Sequence, residues 1–275
     1  MKTILINGLG LMGASLASHL AQLGEYRILG YDRDRETLAV AIANGVIDEA
    51  IAITDFDYRQ VDLVILGMPP KGIITTINHL ATQFFGLAKQ PLVMDLGSTK
   101  SAIMQAGAKL WHFVGGHPMT GSDKTGIGAR QANLYDGRPF FLCGAAADQH
   151  AVKTLLAPLQ ANWQSITAKK HDQIVAGISD LPHVMAFALV NTIDQQTPTG
   201  WQTVTAGGFK DTTRIAQANS QLWTEILIAN QQATVPQIEA LITELVTFKT
   251  VLETNNSTQL TAMIEQANRI RRSLA

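Results

Sequence analysis

Charge is scarce in this sequence. Asp, Glu, Lys and Arg make up 16% of the 275 residues, where an average globular chain carries about 25%. The 21 basic residues nearly cancel the 22 acidic ones. No basic surplus exists to coat a phosphate backbone, so no nucleic-acid partner is expected. Cys143 is the one cysteine, which rules out an intramolecular disulfide and gives no sign of an oxidising compartment. No unbroken apolar run reaches the roughly 18 residues of a spanning segment, and no membrane partner is expected. The apolar stretch after Lys2 is interrupted by Gly8, Gly10 and Gly13, which argues against a cleaved leader and for a cytoplasmic protein. Histidines and cysteines at metal-ligand spacings are missing, so no metal is expected. What the chain does have is apolar material, 46% of its residues, which excludes disorder as the main state.

That material is arranged in short runs. Residues 3–7, 27–32, 61–68, 92–96, 113–114 and 139–143 read as strands, with helical stretches between most of them. Near-continuous apolar strands alternating with helices predict an α/β domain with a doubly wound parallel sheet covered on both faces. The pattern changes after residue 168. Residues 174–193 read as one long apolar helix. In 234–254, Ile238, Leu241, Ile242, Leu245, Phe248 and Leu252 recur at three- and four-residue steps, which places them on one helical face. Thr234 with Gln237 has the spacing of a capping box, with Pro236 in the first turn. The expected division is 1–168 for the sheet domain and 169–275 for an all-α domain. The apolar stripe needs a partner surface, either the chain's own core or a second subunit.

Gly8-Leu9-Gly10-Leu11-Met12-Gly13 follows a strand and opens a helix. This is the context in which the G-x-G-x-x-G pattern binds a dinucleotide, giving a Rossmann-type fold. The first glycine permits the tight turn, the second lets the backbone approach the pyrophosphate, and the third allows the helix to pack closely. Asp32 lies 19 residues past Gly13 at a strand end, where a carboxylate can bond the ribose hydroxyls. That acid favours NAD over NADP, although Arg33 beside it could receive a 2′-phosphate. Met68 and Pro69, at the end of the 61–68 strand, and Ser98, after the next strand, complete the expected cofactor contacts.

Three further segments carry chemistry. They are Asp95-Leu-Gly-Ser-Thr-Lys100, Gly115-Gly-His-Pro-Met-Thr-Gly-Ser-Asp-Lys124, and Gly207-Gly-Phe-Lys-Asp-Thr-Thr-Arg-Ile-Ala216; Leu181-Pro182-His183 lies between the last two. Together with the glycine loop this set resembles the prephenate dehydrogenase family, which includes the arogenate dehydrogenases. The resemblance runs from the first glycines to at least Asn230. It implies that His117 and Ser98 meet the ring hydroxyl of the substrate, and that Arg214 grips a substrate carboxylate. It also implies that Lys210, Ser122 and His183 line the same pocket. A neutral imidazole suits removal of the hydroxyl proton, and a guanidinium fork suits a carboxylate. The implied substrate is prephenate or arogenate, with a homodimer formed through the C-terminal helices. One departure stands out. The family's S-H-L-P-H motif has a histidine where this chain has Asp180, and a carboxylate there would favour an ammonium such as arogenate carries. Two other readings use the same glycine loop: a β-hydroxyacid-type dehydrogenase and an NAD-sensing regulator. The first would need a lysine on the 174–193 helix, which contains none.

Overall fold

The structure is a computed structural model that describes residues 1–54, 56–121 and 124–274. The first half alternates as expected. In order it comprises β1 (Lys2–Asn7), α1 (Leu11–Leu23), β2 (Tyr26–Tyr31), α2 (Arg35–Ala43), β3 (Glu49–Ala50), β4 (Leu63–Leu66), α3 (Pro70–Gln83), β5 (Leu92–Asp95), α4 (Ser101–Gly107), β6 (Phe113–Pro118), β7 (Pro139–Cys143), α5 (Ala146–Leu155) and β8 (Asn162–Ser165). The eight strands form one sheet in the order β3-β2-β1-β4-β5-β6-β7-β8. Neighbours run parallel except β7, which is antiparallel to β6.

Successive residues of a strand point to opposite faces, and here both faces are covered. Ile4, Ile6, Leu63, Ile65 and Met94 join Leu16 and Leu20 of α1 and Val152 of α5 in one core. Leu5, Val64, Leu66 and Val93 join Ile73, Ile77 and Leu80 of α3 in the other. Double burial is why these strands appear in the sequence as unbroken apolar runs. The edge strands β3 and β8 carry no such run and were not expected. The strand at 113–114 extends through Gly115-Gly116-His117-Pro118, because β7 pairs with all four residues.

The helices that follow are α6 (Ala168–Val175), a π-turn (Ala176–Asp180), α7 (Leu181–Gln196), α8 (Gly207–Thr213), a 3₁₀ turn (Arg214–Gln217) and α9 (Ser220–Ala229). The long apolar helix expected at 174–193 is thus a helical run from Ala168 to Gln196, widened in the middle. Pro182 has no N–H for the carbonyl four residues back, and a widened turn accommodates that loss. The Leu181 N–H instead reaches the Ala176 carbonyl, five residues back. By length and composition this run could cross a membrane. However, its buried His171, Asp172 and Asp180 are hydrogen-bonded to groups elsewhere in the fold.

Residues 1–230 form one compact unit and residues 231–275 a second. The second consists of α10 (Gln231–Glu253) and α11 (Ser257–Arg272), joined through Asn255 in the left-handed region at φ 49°. Helix α10 begins three residues before the expected cap at Thr234, because the chain breaks at Asn230 and re-enters a helix at once. Pro236 therefore sits inside the helix. Of the predicted stripe, Ile238, Leu241 and Phe248 are half-buried, while Ile242, Leu245 and Leu252 are exposed.

The junction of β1 and α1 leaves no spare volume. Gly8 has φ +99°, a value that side chains rarely tolerate, and a Cβ on Gly13 would lie 1.9 Å from the Gly8 carbonyl oxygen. Neither backbone can yield without opening the sheet. Gly13→Ala is expected to lower stability by about 1–3 kcal/mol, the usual range for overpacking. Thermal unfolding of the two proteins checks this.

Candidate active site

The glycine loop occupies the C-terminal end of β1, beside β4, where the strand order reverses. Ligands of doubly wound sheets bind at this crevice. Gly10 is the N-cap of α1 and supplies no side-chain cap, and the first turn holds no acid. Nothing lies within 4 Å of where a Gly10 Cβ would be, so the helix amides open onto free space suited to a phosphate. The Leu9 side chain is buried, and its N–H donates to Asp32 Oδ2 at 2.8 Å. The Asp34 N–H donates to Asp32 Oδ1 at 3.0 Å. One carboxylate thus pins the loop at its turn. Leu11, Met12 and Met68 are half-buried, while Arg33 and Pro69 are exposed. Residues after β6 brace the loop from behind. The Tyr135 hydroxyl donates to the Met12 carbonyl at 2.6 Å, and the Gln131 N–H donates to Ser15 Oγ at 3.0 Å. These residues fit a dinucleotide.

His117 is the last residue but one of β6, one strand beyond Ser98. Its Nδ1 lies 2.8 Å from His171 Nε2, and His171 Nδ1 lies 2.8 Å from Asp172 Oδ1. Asp172 also accepts the N–H groups of Lys100 and Ser101, each at 2.7 Å. It therefore caps α4 from a distant part of the chain. Burial pushes Asp172 up, but the bonds from His171, Ser101 and Lys100 outweigh it and hold the carboxyl below its ordinary range. An ionised carboxylate only accepts. For a pair of neutral imidazoles, His171 then donates from Nδ1 and accepts at Nε2, and His117 donates from Nδ1. Among the described residues, nothing bonds the lone pair of His117 Nε2. Burial, then His171 and Lys100, hold His117 well below the ordinary imidazole value, against the pull of Asp172. His117 is thus a neutral acceptor at pH 7.

Beneath this chain lies a buried ion pair of Lys100 and Asp95, both wholly buried. Asp95 also accepts the N–H groups of Gly97 at 2.7 Å and Gly116 at 3.2 Å. Burial pushes the Asp95 carboxyl up, while Lys100 and the two amides draw it back. Ser98 is half-buried. It is not the cap of α4, since Asp172 fills that role.

His183 sits on α7, twelve residues past His171 on the same helical run. Its Nδ1 donates to the Ser179 carbonyl at 2.9 Å, and its ring stacks on Trp223 of α9 with centroids 3.5 Å apart. Burial lowers its proton affinity. Arg214 acts in the same direction, whereas the Ser179 carbonyl and Asp180 oppose it. The Arg214 charge therefore reaches His183. Arg214 and Lys210 are exposed, and neither forms an ion pair among the described residues. Asp180 is wholly buried and accepts Asn230 Nδ2 at 2.6 Å. The same amide donates to the Asp172 carbonyl at 3.1 Å. Asn230 thus holds the Asp180 carboxylate, and the Asp180 charge acts on His183. Ser122 lies outside the described residues.

Sequence reasoning missed His171, Asp172, Trp223 and Asn230. The adjacent His171-Asp172 pair at the head of an apolar helix was a usable signal, because a polar pair there must be satisfied by something outside the helix.

Residues 16–169 match the family model described as prephenate dehydrogenase, nucleotide-binding domain, and residues 167–266 match prephenate dehydrogenase, dimerization domain. A prephenate dehydrogenase of Lactococcus lactis is 33% identical over 282 residues, covering 100% of this chain and 78% of that protein. Among solved structures, prephenate dehydrogenase from A. aeolicus, in complex with hydroxyphenyl propionate and NAD+, is similar at TM-score 0.90 and 28% identity. That match covers 100% of this chain and 99% of the other. Arogenate dehydrogenase of Synechocystis is similar at TM-score 0.84 and 27% identity, over 99% of this chain and 100% of the other. Both halves of the chain match, and the chain belongs to the prephenate dehydrogenase family.

Proposed function

We propose that this chain oxidatively decarboxylates prephenate to 4-hydroxyphenylpyruvate, with NAD as hydride acceptor, in tyrosine biosynthesis. The observation that carries the reading is the hydrogen-bonded chain Asp172–His171–His117, which ends on β6 of the same sheet that carries the glycine loop. The ligand of the A. aeolicus enzyme, a hydroxyphenyl ring on a three-carbon acid, has the form that aromatisation of prephenate leaves behind. The glycine loop 8–13, Asp32, Arg33, Met68, Pro69 and Ser98 would hold NAD, which when bound accepts the hydride from the hydroxyl-bearing ring carbon.

The protein's residues do the rest. His117 Nε2 takes the hydroxyl proton as the carbonyl forms. The positive charge then spreads toward His171 and is met by Asp172. When the ring carboxylate departs as CO₂, its bonding electrons enter the ring and the oxygen recovers its proton from His117. The substrate is a dianion, so Arg214 and Lys210 hold its carboxylates, and His183, fixed by Trp223, borders the side chain. Anchoring one end of a rigid ring fixes the other end over the nicotinamide, an orientation effect. Residues 1–168 carry the cofactor side, and 169–275 the substrate and subunit contacts. Support for a homodimer comes from the matched dimerization domain and from exposed Ile242, Leu245, Val246 and Leu252 on α10. A cytoplasmic location suits this reading.

Prephenate with NAD is expected to yield NADH, seen by its near-ultraviolet absorbance, together with CO₂. Binding without turnover would leave an NAD sensor, and faster turnover of arogenate would reassign the substrate. His117→Asn is expected to cut kcat by roughly 10²-fold or more with little change in KM; near-normal turnover would remove the base. Asp32→Ala is expected to loosen the glycine loop for both cofactors and to weaken NAD by about tenfold more than NADP, since only NAD also offers the carboxylate a free 2′-hydroxyl. Isothermal titration with both cofactors checks this, and equal losses would count against NAD preference.

A further inference from the structure

Lys100 has no part in the steps above, yet it is wholly buried. Stability does not explain it, because a buried ion pair is commonly neutral or worse against apolar residues of the same size. Its placement is specific. A Cβ on Gly115 would lie 3.0 Å from Lys100 Cδ, so the lysine stem runs along β6 at Gly115. Residues 115 and 117 share a face of that strand, and the stem therefore lies on the face from which the His117 ring projects. Asp95 holds the ammonium there and accepts the N–H of Gly116, the residue before His117. The Lys100 backbone N–H also holds Asp172. One residue therefore meets the His117–His171–Asp172 chain at both ends.

We propose that the buried Lys100 ammonium, clamped by Asp95, is a positioning residue that keeps His117 neutral and its Nε2 open to the substrate hydroxyl. This rests on reading His117 as the base. Among the described residues, the charged and titratable groups around His117 are Asp95 from the end of β5, Lys100 from the turn before α4, His171 and Asp172 from α6, and Cys143 from β7. Burial pushes the Cys143 thiol up to about 11, so it stays neutral. Lys100 is the fixed cation among them, and it acts on His117 against Asp172. A cation disfavours an imidazolium nearby. Burial and His171 act in the same direction and would remain without it, but His117 would then hold a proton more readily, and the fraction able to act as base in acid solution would fall.

The test is the double variant Asp95→Asn/Lys100→Met, which removes both charges and leaves neither orphaned. Two readouts are followed in the full chain with NAD. One is the NMR titration of the His117–His171 pair, assigned against His117→Asn. The other is the acid limb of kcat/KM. Both are expected to move up by about half a unit or more, a roughly threefold loss of the neutral form on that limb. An unmoved titration, with activity lowered evenly at every pH, overturns the proposal and makes the pair purely structural. If thermal unfolding shows that the double variant does not fold, the wild-type titration decides. A first proton taken up at or above about 6.5, the ordinary histidine value, overturns the proposal, and uptake well below it is the expected result. Failure of the base reading would appear separately, as near-normal turnover by His117→Asn whatever the titration shows.

Discussion

The carboxylate of Asp172, held by two amides at the head of α4, is the interaction on which the candidate site depends. Two charge-assisted bonds of 2.7 Å keep it ionised, and an ionised acceptor sets the tautomers of two neutral imidazoles that follow it. The helix end gains a cap, while the relay gains a fixed direction. One contact between α4 and α6 therefore joins the sheet domain to the helices and orients the proposed base.

The Gly-Gly before His117 belongs to the same construction. A side chain at Gly115 would strike Met104 and Lys100, and one at Gly116 would approach the Asp95 carbonyl to 2.5 Å. Glycine lets Lys100 pass close over β6 at Gly115 and lets Gly116 lie close to the Asp95 backbone. The site gathers several charges in a chain that has few, and the strongest of them are buried in pairs or hydrogen-bonded sets. Such networks hold their geometry when every member is satisfied.

Much of the fold was legible in the sequence, since doubly buried strands announce themselves by composition. Strands β4, β5 and β7 fall within the apolar runs that predicted them, and β1 begins one residue before its run. The edge strands did not announce themselves, because Glu49-Ala50 and Asn162–Ser165 pack little on either face and take their shape from neighbours. Gly115–Pro118 reads locally as a turn, and pairing with β7 makes it a strand. The start of α10 is set by Asn230, whose amide binds Asp180 and the Asp172 carbonyl. Nothing in a capping pattern reports such a contact. Local chemistry revealed the cofactor loop because its residues are contiguous. The relay joins residues 54 positions apart, and only the fold brings them together.

The π-turn at 176–180 sets the phase of the helical run. Twelve residues of regular α-helix would leave His183 about 120° around the axis from His171. One residue absorbed in a widened turn reduces that offset to roughly 20° for ideal geometry, which brings the two positions toward the same side of the run. The angular relation between the proton relay and the ring stacked on Trp223 is thus stored as a count of residues. An insertion or deletion here would act as a rotation, turning one histidine away while both helices stayed intact.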